Sequence, residues 1–524
     1  MKTLHNHVQT IIQAYLINKL SSFVKTPINA VDLNVSFINF GLDSVHVQKF
    51  IAELEEWANI ELDHPALSQY DTFNKLSDFI FNKTISHTSP AILNTSQRRT
   101  EKYQDNIDAM KAALISGKGL QIRYQDLYSQ ISYRDFQKQF AFLSKVAQKH
   151  KIFFQQNEGI ANNKTVVNGI NQLSFCSYNY LGMSGQPVVS KAAQQAIKKY
   201  GTSVSASRLV SGEKPIHIEL EREISTLIGT EDCIVFNSGH ATNVSVISHL
   251  FGPRDLICLD EYAHNSLMQG AIFSQATRLS FPHNDWQALR RLLEAQTASY
   301  DRALIILEGI YSMDGDIPNI PEFLRVKKEF GAMLMIDEAH SIGVLGENGA
   351  GIREYFKIDS KEIEIWMGTL SKAFATCGGY IAGSSELISY LKYTCPAFVY
   401  SVGITPADTA GALAAIKLMK SNPNIIRKLH RMINFARQTA NTYGFKTAPD
   451  QATPIIPIII GNSEKCVAIS LQLQSKRINI KPIIYPAVPE GLARLRLFIT
   501  AKHTKKEIIH AFRTLYKITQ KVAS

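Results

Sequence analysis

Short, uninterrupted apolar runs recur between helix-length segments through the middle of the chain, and this alternation constrains the fold more than any other feature. The runs are Ile234 to Phe236, Leu256 to Leu259, Ala303 to Leu307, Met333 to Ile336 and Ile365 to Met367. A strand that is apolar on both faces must be covered on both, so the pattern predicts a mainly parallel sheet flanked by helices. The alternation starts near Leu173. It predicts a large α/β domain over 196–400, preceded by a helical and extended segment over 107–195. After about Pro396, longer amphipathic helices and a few strands predict a smaller α+β domain over 401–524, ending in a helix over 505–522.

The first 82 residues follow another period. Ile11, Ile12, Tyr15, Leu16 and Leu20 form one helical stripe, and Val47, Phe50, Ile51, Leu54 and Ala58 a second, which predicts a small all-α bundle. Residues 83–106, rich in Ser, Thr, Asn and charge, read as a linker. A chain of 524 residues has room for such a multidomain arrangement. Apolar residues at 45% and charged residues at 19% exclude wholesale disorder.

The six cysteines never stand two residues apart and show no metal-site spacing with histidines, so neither a disulfide framework nor a metal centre is expected. His5, Asn6, His7 and Gln9 interrupt any secretory apolar stretch at the N-terminus. The most apolar later stretch, Ile455 to Ile460, contains Pro457 and falls far short of the roughly 20 residues that span a bilayer. The expected protein is cytoplasmic, with no transmembrane segment.

Chemistry is expected where the strands end. Asp337, in Asp337-Glu338-Ala339-His340, follows the apolar Met333 to Ile336 run, a position from which a carboxylate faces the ligand crevice of an open α/β sheet. The same four letters occur in helicase-type ATPases, but no Gly-x-x-x-x-Gly-Lys-Ser/Thr loop is present to cradle phosphates. Lys372 lies in Thr369-Leu370-Ser371-Lys372-Ala373-Phe374, among small and apolar neighbours that would desolvate it and favour the neutral amine, the form that attacks an aldehyde. In Ala493-Arg494-Leu495-Arg496-Leu497, alternation puts both arginines on one face of a strand. Near the N-terminus, Gly41-Leu42-Asp43-Ser44 places a hydroxyl at a helix start. A capping role is the ordinary explanation there, and a phosphodiester at Ser44 would also meet the helix's unpaired N–H groups.

The surroundings of Ser44 favour the second explanation. Phe37, Gly41-Leu42-Asp43-Ser44, Leu54-Glu55-Glu56-Trp57, Ile60-Glu61-Leu62 and Tyr70-Asp71-Thr72-Phe73 resemble an acyl carrier protein over the first 80 or so residues. That resemblance implies 4'-phosphopantetheine on Ser44. Val45 and Asp71 depart from the commonest leucine and proline of the family, and neither touches the modified oxygen.

From Leu173 onward the chain resembles the α-oxoamine synthases, enzymes dependent on pyridoxal 5'-phosphate (PLP). The resemblance rests on an ordered series: Ser177-Tyr178-Asn179-Tyr180-Leu181-Gly182, Ser207-Arg208-Leu209-Val210-Ser211-Gly212, Asn237-Ser238-Gly239-His240-Ala241-Thr242-Asn243, Asp260-Glu261-Tyr262-Ala263-His264, and Glu308-Gly309-Ile310-Tyr311-Ser312-Met313-Asp314-Gly315-Asp316. It implies the PLP-dependent aminotransferase-like fold, fold type I. In the roles it implies, Lys372 holds the cofactor aldehyde as a Schiff base, Asp337 keeps the pyridine nitrogen protonated, His264 lies against the ring and His340 meets its phenolic oxygen. Ser238, Gly239 and His240 open a helix suited to the phosphate, Thr369 adds a hydroxyl, and Arg496 takes the amino-acid carboxylate. His240 stands where many relatives have an aromatic ring. A turn histidine capping backbone groups is the plainer reading of His264.

Together the two resemblances imply a decarboxylative condensation of an amino acid with an acyl thioester delivered by the chain's own carrier; the alternatives are the same fold using free acyl-CoA while the carrier serves another partner, and a non-catalytic acyl-binding subunit. The resemblances also imply a homodimer, and a phosphopantetheinyl transferase and an acyl-loading enzyme as partners. The formal charge of +11 first suggests a nucleic-acid partner, but it is unevenly divided. Residues 1–82 carry 5 Lys plus Arg against 9 Asp plus Glu, a balance of −4, and the remainder carries +15. The expectation is a basic enzyme receiving an acidic carrier, with no nucleic acid involved.

Overall fold

The computed structural model describes residues 152–523, apart from 297–298, 446, 448–451, 486 and 490, together with 72, 75–80, 133 and 137. The chain divides into two compact units, Met1–Lys149 and His150–Ser524. In the first, residues 75–80 are helical. Ser44, the other helices expected in the bundle and the 83–106 linker lie outside the described residues.

The second unit is built on a seven-stranded sheet: β1 (Asp232–Phe236), β2 (Leu256–Asp260), β3 (Thr277–Phe281), β4 (Ala303–Glu308), β5 (Met333–Asp337), β6 (Ile365–Thr369) and β7 (Gly379–Gly383). Their order is β1-β7-β6-β5-β4-β2-β3. Strand β7 runs antiparallel to both its neighbours, and every other pairing is parallel. All strands except β7 therefore end at the same edge. The apolar runs read from the sequence became β1, β2, β4, β5 and β6. Strand β3 is the edge of the sheet and half exposed, so its Thr-Arg-Leu-Ser-Phe sequence carries no continuous apolar run. Strand β7, Gly-Tyr-Ile-Ala-Gly, is fully buried between glycines.

The helices α1 (Gly239–Leu250) and α2 (Asn265–Ser274) cover one face. Val246, Ile247, Leu267 and Ala271 from these helices join Ile257, Leu259, Leu304, Ile306 and Met335 from the strands in one buried cluster. Each of the Val, Leu, Ile and Met side chains among them contributes about 1.5–3 kcal/mol on burial, so the strands that present the site are held by the packing beneath them.

The C-terminal part has its own antiparallel sheet of β8 (Ile455–Gly461), β9 (Pro482–Ile483) and β10 (Ala493–Phe498), in the order β8-β10-β9. The helices α3 (Asn424–Thr442), α4 (Ser463–Ser475) and α5 (Lys505–Ala523) accompany it. A further sheet crosses the sequence. Strands Asn157–Glu158, Lys164–Val167 and Ile170–Ser174 form a meander whose last member pairs in parallel with Ile478–Asn479. The segment ahead of the large domain thus joins the C-terminal part. Among the described residues, no helix is long and apolar enough to cross a membrane.

Candidate active site

Asp260, Glu308, Asp337 and Thr369 are the last residues of β2, β4, β5 and β6, and the segments that follow these strands carry His264, His340 and Lys372. This is the edge at which open α/β sheets bind ligands. Asp337 is only 4% exposed. One carboxylate oxygen accepts the Ala339 N–H at 2.9 Å and the other accepts Asn243 Nδ2 at 2.8 Å.

The Asn243 amide also donates to Ser266 Oγ at 2.9 Å, and Ser266 Oγ lies 2.7 Å from His264 Nδ1. Because a carboxylate only accepts, the orientation of the amide is fixed. The Ser266 hydroxyl, having accepted from Asn243, turns its own hydrogen to His264. Nδ1 also receives the Ser266 backbone N–H at 3.2 Å, so it is the unprotonated nitrogen and Nε2 carries the hydrogen. His264 is therefore the N-cap of α2 as well as a crevice residue, and the two readings of it are compatible. The residue is exposed, yet desolvation, against the opposing pull of Asp337, lowers its pKa and keeps it neutral. Its backbone N–H donates to Glu308 Oε1 at 2.6 Å. Burial, and then the Asp337 charge, push the Glu308 carboxyl well above the usual carboxylate range.

Lys372 sits in the loop between β6 and the antiparallel β7. Ala375 within that loop has a φ of 58°, an uncommon conformation for a residue with a side chain. Burial lowers the Lys372 pKa, with Asp337 and Glu308 opposing and Arg496 assisting. Among the described residues, its ammonium has no hydrogen bond or ion pair. Thr369 braces the loop: its hydroxyl donates to the Gly378 carbonyl at 2.9 Å and accepts the Ser371 N–H at 3.2 Å.

Ser238 caps α1, its Oγ accepting from the Ala241 N–H at 3.4 Å. A Cβ at Gly239 would lie 2.9 Å from Thr369 Oγ1, and one at Gly379 would lie 2.6 Å from the Gly239 Cα. The helix start, the lysine loop and β7 meet too closely for any residue but glycine. His240 is exposed at this end, its ring centroid 6.3 Å from that of His264.

His340 is buried, and its Nδ1 lies 2.7 Å from the Tyr180 hydroxyl. Burial, and then the charges of Lys372 and Arg496, hold the His340 pKa well below the ordinary imidazole range. Burial pushes the Tyr180 hydroxyl pKa up, so it keeps its hydrogen and can give it to Nδ1. Nε2–H is then the donor His340 has to offer.

The two arginines of β10 have different surroundings. Arg494 is buried and paired with Asp314. Arg496 donates to the Ser312 carbonyl at 2.8 Å and lies 4.9 Å from the Phe498 ring centroid, while its Nε is buried without a hydrogen-bond partner. Among the described residues Arg496 has no carboxylate partner.

These residues fit pyridoxal phosphate. A fixed carboxylate is available for the ring nitrogen, a neutral imidazole for the ring face, and a desolvated lysine for the aldehyde. A helix start stripped of side-chain bulk suits the phosphate, and the Arg496 guanidinium has an unused buried N–H for a substrate carboxylate. Asn243, Ser266, Tyr180 and Glu308 were not singled out by sequence reasoning. Asn243, Tyr180 and Glu308 lie inside the quoted motifs and Ser266 two residues beyond one of them, but only the fold shows that they touch Asp337, His264 and His340.

The family model described as Aminotransferase class I and II matches residues 170–515, and that described as Phosphopantetheine attachment site matches residues 14–80. Serine palmitoyltransferase of Sphingobacterium spiritivorum is 37% identical over 366 residues, covering 70% of this chain and 91% of the relative. The 8-amino-7-oxononanoate synthase of Geobacter metallireducens is 39% identical over 355 residues, covering 67% and 90%. The solved serine palmitoyltransferase of Sphingomonas wittichii matches with a TM-score of 0.71 at 27% identity, covering 76% of this chain and 99% of its own. A solved serine palmitoyltransferase described with its PLP internal aldimine gives the same TM-score of 0.71 at 27% identity, covering 76% and 100%. The chain belongs to the α-oxoamine synthases, PLP-dependent acyltransferases of the aminotransferase class I and II family, and carries a phosphopantetheine attachment domain ahead of the enzyme.

Proposed function

We propose that this enzyme condenses an amino acid with an acyl group carried as a thioester on phosphopantetheine at its own Ser44, releasing an α-aminoketone, CO2 and the free thiol. The observation that carries this reading is the presence of an attachment domain over 14–80 and the synthase over 170–515 in one chain. Covalent linkage raises the effective concentration of acyl donor toward about the millimolar range when the linker spans the two sites.

Pyridoxal phosphate, when bound, supplies an electron sink for the pair left at the substrate α-carbon. Asp337, Lys372, His264 and His340 hold it in this reading, with Ser238, Gly239, His240 and Thr369 around the phosphate. Arg496 takes the amino-acid carboxylate through its guanidinium fork. Lys372, whose pKa is lowered by desolvation, removes the α-proton in its neutral form. The α-carbon then bonds to the acyl carbon as the carbon–sulfur bond breaks, and the thiolate leaves with a proton. The carboxylate departs as CO2 and a second proton takes its place, so the sum consumes one proton from the medium. The reading includes a homodimer, and it requires a phosphopantetheinyl transferase and an acyl-loading enzyme.

Ser44→Ala tests it. With acyl groups offered only through the carrier, turnover should be abolished, and free acyl-CoA should restore it. Unchanged turnover in this variant under the same carrier-directed acyl supply would overturn the reading.

A further inference from the structure

His283, just beyond β3, takes no part in the roles described above, yet it is among the most tightly bound side chains near the site. Its Nδ1 lies 2.8 Å from Asp260 Oδ1 and its Nε2 lies 2.8 Å from Asp316 Oδ2. Both carboxylates are buried and an ionised carboxylate only accepts, so both ring nitrogens carry hydrogen and the ring is an imidazolium. Tyr262 stacks on it at a centroid distance of 4.3 Å, and Tyr311 meets it edge-on at 4.5 Å. The neighbouring backbone is bound in the same way: His283 N–H donates to Glu261 Oε1 at 2.9 Å, and Asn284 N–H donates to Asp260 Oδ2 at 2.8 Å. Asn284 Nδ2 also bonds Asp316.

The two carboxylates belong to different loops. Asp260 ends β2 and begins the turn to His264; its carbonyl accepts the Ala263 N–H at 2.9 Å. Asp316 closes the loop after β4, in which the Ser312 carbonyl accepts from Arg496 and Asp314 pairs with Arg494. The Asp316 carbonyl folds that loop back by accepting the Tyr311 N–H at 3.0 Å. One imidazolium therefore joins the loop that ends in the ring-facing histidine to the loop that seats the unpaired arginine.

We infer that His283 is a positioning residue: bound between Asp260 and Asp316, it clamps the His264 loop to the Arg496 loop and sets the geometry in which the amino-acid carboxylate is bound. The inference rests on the reading of Arg496 as the carboxylate site. Burial opposes the charge on His283, but the bonds to Asp260 and Asp316 outweigh it and push its pKa up to about 10. The titratable groups facing it are Asp260, Glu261, Tyr262, Tyr311 and Asp316, from β2, the turn after it and the loop after β4.

The test uses the full-length holoenzyme and measures the dissociation constants of glycine, L-alanine and L-serine from the cofactor's visible absorbance. His283→Phe keeps the stacked ring and removes both N–H donors. For the probe that the wild type binds best, the constant should rise about ten- to a hundredfold while the cofactor band is retained. Asp316→Asn preserves shape and leaves the ring one carboxylate, so its proton should be lost at a lower pH than in the wild type. Relative to wild type, binding by this variant should weaken progressively from neutral pH to pH 9. If His283→Phe does not fold, Asp316→Asn decides alone, and binding equal to wild type at pH 9 overturns the inference. A lowered melting temperature with unchanged dissociation constants in both variants also overturns it, because a purely structural clamp predicts that. Arg496→Lys is measured alongside. If it leaves binding unchanged, the carboxylate-site reading itself fails; if it weakens binding while the His283 and Asp316 variants do not, only the clamp fails.

Discussion

Asn243 donates an amide hydrogen to the Asp337 carboxylate at 2.8 Å, and through its other hydrogen it reaches Ser266 and thence His264. The carboxylate proposed to meet the cofactor's ring nitrogen and the imidazole proposed to meet its face are thus held by a single side chain. Asn243 is 1% exposed, and its carbonyl oxygen has no partner, so nothing else fixes the amide once these two acceptors are removed. The direction of donation also fixes His264 in one tautomer, with its hydrogen on Nε2.

Asn243→Ala should therefore damage two roles at once. Asp337 would keep only the Ala339 N–H, and the Ser266 hydroxyl would no longer be oriented toward Nδ1. A hydrogen bond to a charged group contributes about 1.5–3 kcal/mol, so kcat/KM should fall about ten- to a hundredfold. Asn243→Asp should be worse, since it sets a second carboxylate against Asp337. Steady-state kinetics with cofactor occupancy checked by absorbance would decide, and wild-type rates in the alanine variant would remove Asn243 from the site.

The neighbouring arginines of β10 make a paired prediction. Arg496→Lys replaces a two-pronged donor by a single ammonium, which should raise KM for the amino acid about ten- to a hundredfold and change kcat less. Arg494→Ala leaves Asp314 without its partner in a mostly buried place, and should lower stability by about 3–5 kcal/mol. Arg494→Lys, which keeps a charge for Asp314, should leave KM near that of the wild type. If the two lysine variants raise KM equally, the assignment of the carboxylate to Arg496 is wrong.

Much of this arrangement was legible because a parallel sheet writes itself locally: its inner strands are continuous apolar runs, and the residues that follow them face one crevice. Asp337 and Lys372 could be placed that way. Asn243 and Ser266 could not, because a polar residue in the first turns of a helix is ordinarily solvated or capping, and the partners of Asn243 lie 23 and 94 residues away. His283 was hidden for a similar reason. It stands beside Asp285, a plain N-cap to the following helix, and nothing local shows that Asp260 and Asp316 converge on its ring. The pairing of Ile170–Ser174 with Ile478–Asn479 spans some 300 residues and has no local signal at all. Of the two arginines the alternation of β10 gave only their common face; which one is free of a carboxylate depends on the loop that holds Asp314.

Buried histidines should shape the stability of the enzyme with pH from both sides. His217 accepts the Lys214 N–H on Nδ1 at 3.1 Å and has the Ile404 carbonyl 3.1 Å from Nε2. His503 accepts the Thr500 N–H on Nδ1 at 3.0 Å and has the Ser174 carbonyl 3.1 Å from Nε2. In each ring the nitrogen that would take a second proton is already accepting a backbone hydrogen, so charging it breaks that bond. Burial, joined at His217 by the Arg208 charge, lowers both pKa values to about 4. In the unfolded chain each titrates near 6.5. Between about pH 6.5 and 4 the unfolded state therefore binds more protons than the folded one, and stability should fall on acidification by up to about 1.4 kcal/mol per pH unit for each ring. His283 acts in the opposite sense. Its pKa is raised to about 10, so its contribution is complete below pH 6.5 and is lost as pH rises toward 10. Thermal unfolding from pH 4.5 to 9.5 should thus show a maximum near neutrality, with His503→Asn flattening the acid limb and Asp316→Asn flattening the alkaline limb, whose loss then ends at a lower pH. An acid limb of unchanged slope in the His503 variant would show that this ring is not the group being titrated.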